Sequence, residues 1–236
     1  MISVHIILFD IDGTLTSKES TEAEELERFI RPVSETAGKV LSRERWRYDG
    51  MVDPEIYRLL LIESGMSPDS AMRSLPRVIS RAEEIFLRME TRPVLNNGVG
   101  ELLRVLSTCQ NHRLGVLTGN LSAVAEEKLR LAGIRSYFAE TFYSNGYFDR
   151  ADLARDAVRA CAKKYALRSN GEVVIVGDTP RDIEAANANQ AKAVGVASGH
   201  YSVSELVQVG AAAAFRSLDP CRELLEALEV EVVKGL

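Results

Sequence analysis

The sequence has little cysteine, tryptophan or histidine: three Cys, one Trp and three His in 236 residues. Cys109, Cys161 and Cys221 are odd in number and far apart, with no CxxC and no histidine at ligand spacing. A disulfide scaffold and a thiolate zinc site are therefore not expected, and free thiols in a reducing cytoplasm are the plain reading. No run approaches the roughly 20 apolar residues of a membrane span. The opening MISVHIILFD has no basic segment ahead of its apolar stretch, so no leader and no membrane partner are expected. Positive charge is also short. Lys plus Arg number 29 against 34 Asp plus Glu, a net charge of -5, which weighs against a nucleic-acid partner. A small anionic substrate needs only local positive potential and stays open. There is no low-complexity stretch and no internal repeat. The chain is long enough for one large domain, or for one domain carrying an insertion, with a core that needs no staple.

Residues 2–9 (ISVHIILF) are short, apolar and rich in β-branched side chains, which predicts a buried strand. DIDGTLTS follows, with Gly13 permitting a sharp turn. From about 16 to 92 the pattern becomes polar and helical. STEAEELERFI starts one amphipathic helix. Asp53-Pro54 suits an N-cap followed by a first-turn proline, with a helix to Gly65, and Ser67-Pro68 opens another helix to about Met89. After Arg92-Pro93 strands and helices alternate. Helices are expected near 98–108, 121–132 and 151–166, and strands at 113–117, near 139–143 and at 172–178. A helix starts at TPRDIEAANA, AKAVGVA is a strand, and AAFRS and a helix from Asp219 close the chain. This order predicts an α/β fold: a doubly wound parallel sheet with helices on both faces and an inserted helical bundle. In such sheets ligands bind beyond the carboxyl ends of the strands.

Four signals fall at those ends. Asp10 and Asp12, two apart, would repel unless a cation lies nearby, and hard carboxylate oxygens suit Mg2+. The same residues could simply close a turn. Asp178, with Asp182 a helical turn later, could complete a metal site, or Asp178 or Thr179 could cap the helix that starts at Pro180. Thr118, Gly119 and Asn120 suit a phosphate oxygen beside a helix N-terminus, or an ordinary turn. Arg150 could bridge a phosphoryl oxygen and a carboxylate, or pair at the surface with Asp149 or Asp152. A nearby Asp10 charge is expected to raise the proton affinity of Asp12.

In that order, acid pair, hydroxyl, cation and acid, the chain resembles the haloacid dehalogenase-like hydrolase superfamily. FDIDGTL (9–15) is similar to its DxDGT motif, LTGN with Thr118 to its Ser/Thr motif, and VGDTPRD (176–182) to its GDxxxD motif. Arg150 stands where the family's lysine is usual. The resemblance covers essentially the whole chain. It implies a Rossmann-like catalytic core at 1–15 and 93–236 and a helical cap at 16–92. YDGMVDPEI (48–56) is similar to phosphoglycolate-phosphatase-like caps, with Val52 in place of Thr. NNGVGELLRVL resembles the helix returning to the core, with Asn97 where Pro is commoner.

The resemblance implies a Mg2+-dependent phosphatase for a small phosphomonoester, phosphoglycolate among the candidates, acting in the cytoplasm as a monomer or homodimer. Asp10 would be the nucleophile and Asp12 the general acid and base. Mg2+ would be held by the Asp10 carboxylate, the Asp12 backbone carbonyl and Asp178. Thr118, Gly119, Asn120 and Arg150 would hold phosphate, with Asp182 in support. Dehalogenases lack an acid at the position of Asp12, since a halide needs no proton. The rivals are a sugar phosphomutase of the same superfamily, a phosphoryl-accepting receiver domain and a non-catalytic binding protein. Arg45, Arg47 and Tyr48 are candidate cap contacts with a solvated helix face as the alternative. Trp46 and His5 are read as packing residues, His112 as a loop residue, and His200 as a strand-end residue within reach of the site.

Overall fold

The computed structural model describes residues 4–18, 22–41 and 48–230; Arg45, Trp46 and Arg47 lie outside them. Six parallel strands form one sheet: β1 (His5–Phe9), β2 (His112–Leu117), β3 (Glu140–Phe142), β4 (Val173–Gly177), β5 (Lys192–Val196) and β6 (Ala213–Phe215). Their order is β3-β2-β1-β4-β5-β6. The chain works outward from β1 through β2 and β3, then crosses back to β4 and runs outward on the other side. The switch point of this doubly wound sheet is therefore between β1 and β4, where a crevice opens beyond the carboxyl ends.

The strands read as unbroken apolar runs because both of their faces are covered. Ile7 and Phe9 point to one side, against Leu102, Leu103 and Leu106 of α4 (Val99–Ser107) and Leu129 of α5 (Ser122–Leu131). Ile6 and Leu8 point to the other, against Leu153, Ala157 and Val158 of α6 (Arg150–Tyr165) and Ile183 of α7 (Pro180–Ala188). The period of two along β1 thus separates two cores. Among the described residues, three helices lie between β1 and α4: α1 (Glu22–Ala37), α2 (Asp53–Glu63) and α3 (Pro68–Leu87). Their own core of Val33, Tyr57, Leu60, Leu61, Val78 and Phe86 extends onto Leu121 and Val124 at the start of α5. The insertion is thereby seated on the segment that follows Thr118. No helix among the described residues is long and apolar enough to cross a membrane.

Local expectations and structure differ at a few points. Val52, not Asp53, is the N-cap of α2, and its side chain makes no capping bond; the Asp53 carboxylate is drawn to Arg28 instead. His112 is not in a loop but opens β2, buried, its ring stacked on His5 with centroids 5.6 Å apart. A short helix, α8 (Val203–Gln208), follows Ser202; too few residues carry its apolar period for the sequence to announce it. The last helix, α9 (Arg222–Ala227), begins after Cys221 rather than at Asp219.

Candidate active site

Asp10 follows β1 directly, and its amide donates to Val176 O of β4 at 2.9 Å, which fixes it over the switch point. Arg150, the first residue of α6, is buried, and its Nη2 is 3.1 Å from Asp10 Oδ1, 2.7 Å from Asp182 Oδ1 and 3.0 Å from Leu117 O. It is not the surface partner of Asp149 or Asp152. Asp149 caps α6, accepting from the amides of Ala151 and Asp152. Asp182 is held on both sides, since its Oδ2 accepts from the amide and hydroxyl of Thr179 in a capping box. Thr179 is thus the cap of α7, and Asp178 is left free of that task.

Asp178 is fully buried at the end of β4. Together with Asp10 and Asp182 it offers carboxylate oxygens within 4.8 Å of one another. Burial pushes Asp178 up to about 8, against the pull of the Lys18 ammonium 3.1 Å away. Burial likewise pushes Asp10 up to about 6 against the pull of Arg150. Two buried acids held above their ordinary range are a site that a hard divalent cation fits, because its charge offsets what desolvation costs them. Gly13, at a φ of 84°, lets the loop lie on Asp178, where any side chain would overlap the carboxylate. Asn96 Nδ2 ties that loop down through the carbonyls of Gly13, Thr14 and Thr16 at 2.9, 3.0 and 3.3 Å.

Asp12 departs from expectation. Burial alone would raise it, but Lys128 Nζ, 2.8 Å from each oxygen, and the Asn120 amide, 2.7 Å from Oδ2, hold it below the ordinary carboxylate range. The acid expected to be lifted by Asp10 is instead favoured in its charged form by Lys128 and Asn120. Its carboxylate is not part of the three-acid cluster.

A cavity of about 240 Å3 opens over these groups. Asp10, Asp12, Thr118, Gly119, Asn120 and Arg150 form its polar floor, while Phe29, Tyr48, Met51 and Ile56 supply an apolar roof from the insertion. Lys18, Asp49 and His200 stand at one side, with Asp49 Oδ1 3.0 Å from Lys18 Nζ and 3.2 Å from His200 Nδ1. Thr118 is buried and its hydroxyl accepts from Asn120 Nδ2 at 2.9 Å. Of the site residues expected from the sequence, Asp10, Asp12, Thr118, Gly119, Asn120, Arg150 and Tyr48 line this cavity, while Asp178 and Asp182 stand beside Asp10 outside the lining.

Sequence reading passed over Arg28 and Lys128, and took Asp53 only as a helix cap. Arg28 of α1 bonds both Asp53 oxygens, at 2.6 and 3.2 Å, and Asn120 Oδ1 at 3.0 Å. Asp53 in turn accepts from the Leu121 amide at 2.9 Å. One signal for Lys128 was available: it falls on the stripe of Leu121, Val124, Ala125 and Leu129, the apolar face of α5, where a solvated lysine has no place.

A protein-family model described as haloacid dehalogenase-like hydrolase matches residues 4–189. No curated protein matches the chain. Among solved structures, a hydrolase from Pseudomonas syringae aligns at a TM-score of 0.70 and 24% identity, covering 95% of this chain and 98% of its own. A Haemophilus somnus protein described as a predicted phosphoglycolate phosphatase aligns at 0.67 and 20%, covering 93% and 96%. A Thermotoga maritima protein provisionally named a β-phosphoglucomutase aligns at 0.58 and 21%, covering 96% and 99%. At these identities the likeness is one of fold.

Proposed function

Because this chain belongs to the haloacid dehalogenase-like hydrolases, we propose that it is a Mg2+-dependent phosphomonoesterase that works through an aspartyl-phosphate on Asp10. The observation that carries the reading is geometric: two acids line one cavity, each held by its own buried cation. Asp10 is stacked against Arg150 and the buried acids, and Asp12 against Lys128. Bound Mg2+, held by Asp10, Asp178 and the Asp12 backbone carbonyl, would neutralise phosphoryl oxygens and the Asp10 charge so that an anion can approach an anion. Arg150 and the Thr118 hydroxyl bind the transferring phosphoryl group beside the amides of Gly119 and Asn120. Asp10 then attacks phosphorus in line, and the ester oxygen leaves with a proton from Asp12, which has first taken that proton from the monoanionic phosphomonoester as it binds. Asp12, charged again and held by Lys128, takes a proton from the water that hydrolyses the aspartyl-phosphate. Asp182 keeps Arg150 aimed at Asp10.

The insertion serves as a cap whose roof limits the leaving group to a small body. Phosphoglycolate heads the substrate panel because of the cap's sequence similarity and the neighbour that bears that name. Phosphate release from a panel of phosphomonoesters, with Mg2+ and with chelator, tests the reading. Release should require Mg2+ and fall at least about 1,000-fold in Asp10→Asn with the circular-dichroism spectrum unchanged. Wild-type turnover in that variant would refute the mechanism. Isomerisation that depends on a bisphosphate activator, in place of release, would favour the mutase reading suggested by the Thermotoga maritima neighbour.

A further inference from the structure

In the reading above Asp12 exchanges protons with the leaving oxygen and with water, so its carboxylate must hold one orientation. Lys128 and Asn120, among the described residues, grip it. Lys128 Nζ, from α5, is 2.8 Å from both oxygens, and Asn120 Nδ2 donates to Oδ2 at 2.7 Å. Lys128 is wholly buried and does not line the cavity. Its ammonium also lies 3.3 Å from Asn120 Oδ1, which accepts from Arg28 Nη2 at 3.0 Å as well. Two cations on Oδ1 leave the amide a single orientation, with Nδ2 towards Asp12 and the Thr118 hydroxyl. On the other side the Phe86 ring of α3 is 5.6 Å from the ammonium. A buried lysine on an apolar helix stripe is expensive to keep unless it is paired. Here its partner is the acid–base residue of the site.

We infer that Lys128 is a positioning residue for the reaction: with Asn120 it fixes the orientation of the Asp12 carboxylate, and it acts on turnover through Asp12. The inference rests on the phosphatase reading. It differs from the role of Arg150, which contacts Asp10 and the phosphoryl group, and it links turnover to the insertion, since Arg28 locks the amide that shares the grip.

The test compares Lys128→Met, Lys128→Gln, Asp12→Ala and the Asp12→Ala/Lys128→Met double variant with wild type, using p-nitrophenyl phosphate, whose leaving group departs readily. Lys128→Met should lower kcat about 10- to 100-fold with KM within about twofold. Lys128→Gln, which keeps one donor, should recover part of that loss. In the Asp12→Ala background, Lys128→Met should cost no further activity, because the group it orients is gone. Metal binding by calorimetry should be equal in wild type and Lys128→Met. Should Lys128→Met not fold, Lys128→Gln decides, supporting the inference by a lowered kcat at unchanged KM. A wild-type kcat in a folded Lys128 variant, or an equal loss in both backgrounds, would overturn it. No Mg2+-dependent release from wild type itself would instead refute the phosphatase reading and this inference with it.

Discussion

Gly119→Ala tests how tightly the segment before α2 is seated on the loop that follows β2. A Cβ at this position would come well under 3.0 Å from the Met51 carbonyl oxygen, and would also press on the Met51 carbonyl carbon. These are main-chain atoms, not the tip of a flexible side chain, so relief requires the segment before α2 to move by about 1 Å to reach ordinary contact. That segment is tethered. The Asp53 amide donates to Gly119 O at 2.8 Å, the Leu121 amide donates to the Asp53 carboxylate at 2.9 Å, and Arg28 spans Asp53 and Asn120. Overpacking of this kind costs about 1–3 kcal/mol, which lowers Tm by about 2–4 °C per kcal/mol in a chain of this size. A scanning-calorimetry shift of roughly 2–12 °C is expected. Turnover should fall further than stability implies, because Asn120 moves with the loop and shifts its grip on Asp12. Mg2+ affinity should hold, since none of these bonds touches Asp10, Asp178 or the Asp12 main chain, the groups proposed to hold the ion. A variant with wild-type Tm and kcat would refute the close docking, and one that loses metal affinity would refute the separation of loop from metal acids.

Further outcomes follow from the buried charges. Asp53→Ala strands Arg28, 2% exposed, without its bidentate partner and should cost about 3–5 kcal/mol; an Arg28→Met/Asp53→Leu double variant should regain much of that in urea titrations, and no regain would count against a paired role. In metal-free protein, Asp10 and Asp178 sit at about 6 and about 8, above their unfolded value near 3.8. The native state then binds more protons than the unfolded chain between roughly pH 4 and 8, so stability falls as pH rises through that window. Tm in chelator should drop between pH 5 and 8, and added Mg2+ should reduce the drop; a rise with pH would show that neither acid is raised. Arg150→Ala removes the cation between Asp10 and Asp182 and should reduce kcat by at least about 100-fold, read from initial rates at saturating Mg2+, while unaltered rates would remove Arg150 from the phosphoryl site.

The local signals in the sequence were strong where chemistry and secondary structure share the same few residues. Apolar runs closed by Asp10 and by Asp178, a proline and cap residue at the head of α7, and the alternation of strand and helix are properties of neighbouring residues. They announce a parallel sheet and the edge on which its acids stand. Asp53 looked like a cap for the same reason, because a Pro follows it, yet its carboxylate found a better partner in Arg28, 25 residues earlier. His112 looked like a loop residue because polar neighbours precede it, yet His5 of β1 stacks on its ring and its Nε2 meets the Glu229 carbonyl.

What sequence alone determined is therefore the parallel sheet, the helices between its first two strands, and the strand-end placing of Asp10, Asp12, Thr118 and Asp178. Tertiary structure decided the charge state and the company of those groups. Lys128 meets Asp12 across 116 residues, and Arg28 meets Asn120 across 92. Neither meeting follows from any period or cap, because a cation's partner is chosen by which oxygens share its desolvated volume, and only the packing of α1 and α5 against the strand ends creates that volume.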